Sequence, residues 1–183
     1  MMSFRPERHL AIKPNHDEHK LKSGLAGVFG EYWVEHTFLI EPGRWTLEGT
    51  WLSRDVSTPP LSVRGAILIA WSRDDWFTMV MKLGFPTTSP AESISLQYRG
   101  RLTSSDRQYT FVLQHSQLGR VEGEGWIAPE SIVQRYWALN DRQRRTGFEA
   151  LHRLDSDHYH WSSGIMAGHY LTTAMEATLI RQQ

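Results

Sequence analysis

The sequence predicts an all-β protein, an antiparallel up-and-down barrel of about ten strands with a short N-terminal helix. After Gly30, short runs rich in β-branched and aromatic residues alternate with clusters of Gly, Pro, Asn, Asp and Ser, which are typical of strands and turns. The connections are mostly short, so consecutive strands should pair antiparallel. Closing such a sheet leaves no exposed edge. An open β-sandwich is the alternative architecture.

Along the chain, residues 1–17 are predicted to be irregular and residues 18–183 to form a single barrel domain. Within that domain, residues 18–29 have the spacing of a short helix, although Gly24 and Gly27 weaken it. About eleven strand candidates follow. They are EYWVEHTFLI (31–40), RWTLEGTWL, SVRGAILIAW, WFTMVMKL, ESISLQYRGRL, RQYTFVLQH, GRVEGEGWIA, SIVQRYWAL, RRTGFEALHRL, HYHWSSGIM and TTAMEATLIR.

Composition excludes several functional classes. The 183 residues include 20 basic and 20 acidic side chains, so the chain lacks the positive surplus of a general nucleic-acid-binding protein. No cysteine is present, which removes disulfides, thiolate metal sites and cysteine nucleophiles. The N-terminus has no apolar core of a signal peptide, and no apolar run is long enough for a membrane span. We therefore expect a soluble cytoplasmic protein without a nucleic-acid or membrane partner.

Strand alternation predicts which side chains share a face. In RQYTFVLQH, Tyr109, Phe111, Leu113 and His115 lie on one face. In ESISLQYRGRL, apolar and polar residues alternate cleanly, so the face of Ile94, Leu96, Tyr98 and Leu102 should point into the core.

The stretch QRYWALNDRQRRTGFE concentrates arginines beside aromatic residues in this neutral chain. Alternation places Arg135 on the same face as Val133 and Trp137, but the opposite face is apolar as well, so its orientation stays open. A buried guanidinium would need an anionic partner. The preceding strand offers Glu124, which shares a face with Trp126, and the carboxylate of a ligand is the alternative partner.

Motifs for catalysis or metal binding are weak. The sequence contains no G-x-S-x-G, no P-loop and no H-E-x-x-H. His158 and His160 have a spacing that some metal sites use, with a third ligand available from His115, His152 or His169, but nothing fixes that set. We expect no metal site. An enzyme built on this barrel would use Glu124 or a histidine as its acid–base group.

Two stretches resemble families of the calycin superfamily, the β-barrels that include lipocalins and fatty-acid-binding proteins. GEYWVEHT and QRYWALNDRQRRT resemble the S-type phycobiliprotein lyases, in which an early Gly-x-Trp is followed by Arg-x-Trp and Arg-x-Arg-Thr strands. The counterparts are Gly30, Trp33, Arg135, Trp137, Arg144 or Arg145, and Thr146. The C-terminal third is similar to nitrobindin-type haem-binding barrels, with Ala174 at the position of their haem-ligating histidine.

These resemblances imply a calycin-like barrel that binds or carries a small hydrophobic acidic ligand without enzymatic chemistry. They imply a bilin or a haem-like tetrapyrrole as that ligand, and an acceptor protein as a partner. The predicted ligand-binding residues are Arg135, Trp137, Arg144, Arg145, Glu124, Trp126 and Tyr109. A small barrel enzyme for a hydrophobic substrate and a structural barrel filled by its own side chains are the alternatives. The sequence leaves catalytic activity and oligomeric state open.

Overall fold

The computed structural model describes residues 36–72, 74–86, 93–103 and 107–183. The irregular segment 1–17 and the helix predicted over residues 18–29 lie outside these ranges. No helix in the described part is long and apolar enough to cross a membrane. The strands are β1 (Gly43–Ser53), β2 (Leu61–Trp71), β3 (Trp76–Gly84), β4 (Ile94–Leu102), β5 (Gln108–His115), β6 (Gly119–Ile127), β7 (Ser131–Ala138), β8 (Arg145–Arg153), β9 (His158–Ala167) and β10 (Tyr170–Gln182).

The ten strands form one closed antiparallel barrel in which every strand pairs with its neighbours in sequence. Closure comes from β10, which returns to pair with β1 along almost its whole length, from Arg44 opposite Gln182 to Ser53 opposite Thr173. The predicted all-β, up-and-down barrel is therefore confirmed, and the open sandwich is wrong. All odd-to-even connections, such as β1–β2, β7–β8 and β9–β10, consequently lie at the same end of the barrel.

The first strand candidate, EYWVEHTFLI, is not a strand in its described part. Residues 36–40 form a turn in which the Glu41 N–H donates to the Thr37 carbonyl at 3.0 Å. Leu39 adopts φ = 68°, a left-handed conformation that no extended strand contains. A short apolar run of this kind fits the pattern of a strand, because periodicity alone does not distinguish a buried strand from other short buried segments.

This turn closes the even-to-odd end of the barrel. Phe38 and Leu39 are buried in the core, and the indole N–H of Trp71 donates to the Leu39 carbonyl at 2.8 Å. The Tyr159 hydroxyl accepts from the Thr37 N–H at 3.0 Å, which fixes the turn to β9. The side chains of residues 36–41 thus act as a plug that adds to the core.

Alternation along the strands determines what fills the barrel. The inward face predicted for β4 is confirmed, and the β5 residues predicted to share one face do so. Ile94, Leu96 and Tyr98 are buried on the inner face of β4, and Tyr109, Phe111, Leu113 and His115 are buried on that of β5. The largest fully buried side chains come from most strands of the barrel: Trp45, Tyr109, Tyr159, Phe77, Leu47, Ile69, Met81, Ile94, Leu113, Ile132, Leu179 and Val63.

Glycines on the inner face provide the space for these rings. A Cβ at Gly125 would lie 2.2 Å from the ring of Tyr109, its cross-strand partner, and a Cβ at Gly147 would lie 2.0 Å from the ring of Tyr136. The pairs Gly123–Phe111 and Gly100–Phe77 repeat the arrangement. The run GRVEGEG therefore has a structural explanation, because its buried glycines receive rings while its glutamates point outward.

As a consequence, the barrel is filled by its own side chains. The interior cavity bounded by Phe38, Met79, Gln134, Glu149 and Trp161 holds about 10 Å³, roughly the space of one water molecule. Small-molecule pockets usually measure about 300–1,000 Å³.

Substituting Gly125→Ala should destabilise the barrel, because the added methyl group overlaps the buried Tyr109 ring. We expect the free energy of unfolding to fall by about 1–3 kcal/mol, as in other overpacked cores. Urea unfolding followed by tryptophan fluorescence measures this change. Gly84→Ala is the matched control, because the nearest atom to its Cβ is 4.0 Å away. Equal stability of the two variants would contradict this packing account.

Candidate functional site

A cleft with a volume of about 360 Å³ lies at the β7–β8 hairpin. It is an open surface groove, and it belongs to the arginine-rich stretch that the sequence singles out. Its lining residues are Trp137, Ala138, Asn140, Asp141, Arg142, Arg144, Arg145 and Thr146. Of the predicted ligand-binding residues, the structure brings Trp137, Arg144 and Arg145 together here.

Asp141 organises the hairpin turn through Arg145. Its carboxylate accepts from the Arg145 backbone N–H at 2.9 Å and from the guanidinium Nε and Nη2 at 2.7 and 3.1 Å. The hydrogen bonds from Arg145 lower the pKa of Asp141 to about 2. The pair is therefore ionised and neutral as a whole, and Arg145 serves as part of the scaffold.

Two residues of the turn have left-handed backbone conformations, Asn140 with φ = 54° and Arg144 with φ = 51°. Asparagine tolerates this region well, whereas a long side chain such as arginine adopts it less often. The conformation directs the turn so that Arg144 and Arg142 are exposed at the cleft. Within the described residues, neither guanidinium makes an ion pair or a hydrogen bond.

Arg135 lies on the outer face of the barrel, which answers the question of its orientation. Its Nη2 lies 2.6 Å from Glu124 Oε1, and its Nε donates to the same oxygen at 2.7 Å. The two residues are direct cross-strand partners on β6 and β7. Trp126 and Trp137 also face outward and are partly exposed. An inward-facing Arg135 clamp therefore does not form, and the predicted pairing with Glu124 accounts for its charge.

Tyr109 is the one predicted site residue that points into the barrel. Its hydroxyl donates to Gln134 Oε1 at 2.8 Å, and the Gln134 amide donates to Glu149 Oε2 at 2.5 Å. Glu149 is 4% exposed, and burial raises the pKa of its carboxyl to about 7. The interior thus contains a polar chain that ends at a carboxylic acid.

Sequence reasoning missed Glu149, although a signal was present. Gly147, Glu149 and Leu151 occupy every second position of β8 and therefore share one face, which is the buried face of the strand. The signal in the sequence is an acidic residue on the same face as a glycine and a leucine. Among the described carboxyls, Glu149 has acid–base properties suited to neutral pH, whereas Glu124 is engaged by Arg135 on the surface.

Other polar groups are also buried in the barrel. Trp161 lines the same interior cavity, and its indole N–H, like the Tyr98 hydroxyl, is buried and has no hydrogen-bond partner among the residues that the structure describes. Burial is also the main cause that lowers the pKa of His115 to about 4. Among the described residues, no cluster of His, Asp or Glu has an arrangement that could hold a metal ion.

Replacing Glu149 with Gln should make the protein less sensitive to pH. The folded-state pKa of Glu149 is about 7, above the ordinary 4.5, so its stabilising contribution is complete below pH 4.5 and is lost as pH rises through 7. Relative to the wild type, Glu149→Gln should gain stability between these pH values, by an amount on the order of 3 kcal/mol.

Chemical unfolding of both proteins from about pH 5 to pH 8 tests this expectation. Burial lowers the pKa values of His36 and His115, so their effect on the pH dependence of stability has the opposite sign to that of Glu149. Both histidines are present in both proteins, so the difference between the two stability curves isolates Glu149. A difference that stays constant across this range would show that the carboxyl does not titrate there.

Comparison with solved structures places the fold among calycin-like barrels. The chain is similar to the S-type phycobiliprotein lyase CPES from Guillardia theta, with a TM-score of 0.56 and 15% sequence identity over 78% of this chain and 89% of that chain. It is similar to the same degree to Rv2717c from M. tuberculosis, with a TM-score of 0.56 and 16% identity over 77% of this chain and 92% of the other. No family model and no curated protein matches the sequence. At these identities the likeness establishes the calycin-like barrel fold.

Proposed function

We propose that this protein is a non-enzymatic binding or carrier protein for a small hydrophobic acidic ligand, held in the cleft of the β7–β8 hairpin. The observation that carries the proposal is the juxtaposition of an exposed indole, Trp137, with two guanidinium groups, Arg142 and Arg144, that are unpaired within the described part of the chain, in one cleft of about 360 Å³. The remaining charges at the cleft, those of Asp141 and Arg145, neutralise one another.

The chemistry of these groups favours a flat anion. The indole of Trp137 offers an apolar face for an aromatic or conjugated ring system. Guanidinium groups pair with carboxylates in bidentate geometry, which suits Arg142 and Arg144 for the acidic groups of the ligand. With Asp141 compensated by Arg145, the cleft has a net charge of +2 from Arg142 and Arg144.

The other predicted site residues lie outside the lining of this cleft. Arg135 and Glu124 form an ion pair next to Trp137 on the same two strands, which orders the outer face of the β6–β7 ladder. Tyr109 belongs to the interior polar chain and stabilises the barrel wall behind it. Trp126 lies further along β6, away from the hairpin turn.

A tetrapyrrole with free carboxylates is the ligand class we favour. The sequence resemblance to S-type phycobiliprotein lyases and the fold likeness to one of them support this choice. The interior cavity of about 10 Å³ does not admit such a molecule, whereas the open cleft leaves part of a larger ligand accessible. Partial exposure suits a carrier that transfers its ligand to an acceptor protein.

Titration with biliverdin and with haemin tests the proposal. We expect quenching of tryptophan fluorescence and an induced circular dichroism band of the bound pigment. The double variant Arg142→Ala/Arg144→Gly should bind at least about tenfold more weakly, because it loses two charge-assisted contacts. Glycine at position 144 also suits the left-handed backbone, so this variant should remain as stable as the wild type.

The chain provides a control at a second Trp–Arg pair, where Arg99 lies 4.8 Å above the ring of the partly buried Trp76, on distant strands of the barrel. Trp76→Leu and Arg99→Ala should bind the pigments normally, whereas Trp137→Leu should lose the induced band. Equal binding by the wild type and the cleft variant would refute the cleft as the site. Absence of binding to any acidic pigment would favour a structural barrel with a filled core.

A further inference from the structure

The rim that carries the β7–β8 hairpin also exposes a cluster of apolar side chains, which we call the apolar corner. It consists of Leu52 at the end of β1, Val56 in the β1–β2 loop, and Tyr170 and Leu171 at the start of β10. Their exposed fractions are 45, 99, 61 and 54%. Single exposed apolar residues are common on protein surfaces, whereas exposed apolar residues that cluster on adjacent loops are typical of interaction sites.

The corner is an ordered part of the fold. The Arg54 N–H donates to the Thr172 carbonyl at 2.8 Å, which joins the β1–β2 loop to β10. The Arg54 guanidinium lies 4.1 Å above the ring of Tyr170. Asp55 accepts hydrogen bonds from the Ser57 backbone and hydroxyl, so the loop that presents Val56 is held by its own polar groups. The side chains of the apolar corner are therefore held toward the solvent.

The charges along the same rim are mainly basic. The β7–β8, β9–β10 and β1–β2 connections follow one another around this end of the barrel. They present Arg54, Arg142 and Arg144, while the only described carboxylate there without an arginine partner is Asp55. The whole chain has a formal net charge of zero, so this surplus of two positive charges is a local property.

We propose that this rim docks onto an anionic lipid surface, with the apolar corner entering the headgroup layer and the arginines contacting lipid phosphates. Apolar and aromatic side chains next to cationic groups are suited to this interface. Each cation near an anionic membrane contributes to binding. Projecting hairpin tips fit a soft headgroup layer better than the broad, complementary contact that a stable protein interface needs.

The proposal departs from the expectation of no membrane partner, because hydropathy along the sequence does not reveal this surface. Leu52 and Val56 are separated from Tyr170 and Leu171 by more than half of the chain, and the pairing of β1 with β10 brings them together. The inference shares Arg142 and Arg144 with the proposed ligand cleft, but the apolar corner itself contains no residue that lines the cleft.

Co-sedimentation of the full chain with vesicles tests the proposal. We expect binding to phosphatidylcholine vesicles that contain about 30% phosphatidylserine, and much weaker binding to phosphatidylcholine alone, because the rim is basic. Raising the salt concentration should weaken the binding, since exposed charges are screened. Tyr170→Ser/Leu171→Ser should weaken it by at least about tenfold through the loss of buried apolar area.

Leu68→Ser/Val80→Ser is the matched control. These exposed side chains form a direct cross-strand pair on β2 and β3, away from the rim, so the control should bind vesicles like the wild type. Val56→Ser gives a second, independent change in the corner. Thermal unfolding of each variant confirms that it is folded.

Three results would overturn the proposal. One is the absence of phosphatidylserine-dependent sedimentation, and another is the same loss in the Leu68→Ser/Val80→Ser control. The third is a dimer seen by light scattering without lipid that the corner variant dissociates, because a second copy would then cover the corner. Pigment binding by Tyr170→Ser/Leu171→Ser should remain unchanged, so failure here and failure of the proposed ligand are separate outcomes.

Discussion

Contact between inward-facing glycines and the aromatic rings of their cross-strand partners is the constraint on which the rest of this barrel depends. A closed sheet of ten strands has a fixed internal width, and side chains must fill it at the density of a protein core. Rings from β5 and β7 fill the width only because Gly125 and Gly147 leave room for them. The same packing uses up the volume in which a barrel of this class could enclose a ligand.

The interior polar chain follows from that packing. Tyr109 lies over Gly125 with its hydroxyl directed at Gln134, and Gln134 in turn donates to Glu149. A buried carboxyl costs least when it is protonated, which explains why burial raises the pKa of Glu149. The hydrogen bonds from Tyr109 to Gln134 and from Gln134 to Glu149 connect β5, β7 and β8 across β6. They therefore link the part of the barrel wall that carries the cleft. The stability of that wall is consequently coupled to one proton.

The sequence predicted the architecture well because strand physics is local. Turn residues and alternation identified nearly all the strands, and the inner face of β4 was assigned correctly from Ile94, Leu96 and Tyr98. Residues 36–40 were misassigned because a buried turn and a buried strand have the same apolar composition. The direction of Arg135 was undecidable from alternation, since both faces of β7 carry apolar residues. It became clear only with the pairing of Glu124 and Arg135 across the ladder.

The candidate site was predictable in composition but not in geometry. Arg144, Arg145 and Trp137 were recognised as a group, yet their different roles arise from the turn. Asp141 binds Arg145, whereas Arg142 and Arg144 remain unpaired within the described residues. This difference between the arginines depends on the left-handed backbone conformations in the hairpin turn. The cleft and the apolar corner lie on neighbouring connections at one end of the barrel. Under the two proposals made above, a hydrophobic ligand taken from or delivered to a lipid surface would have only a short distance to travel.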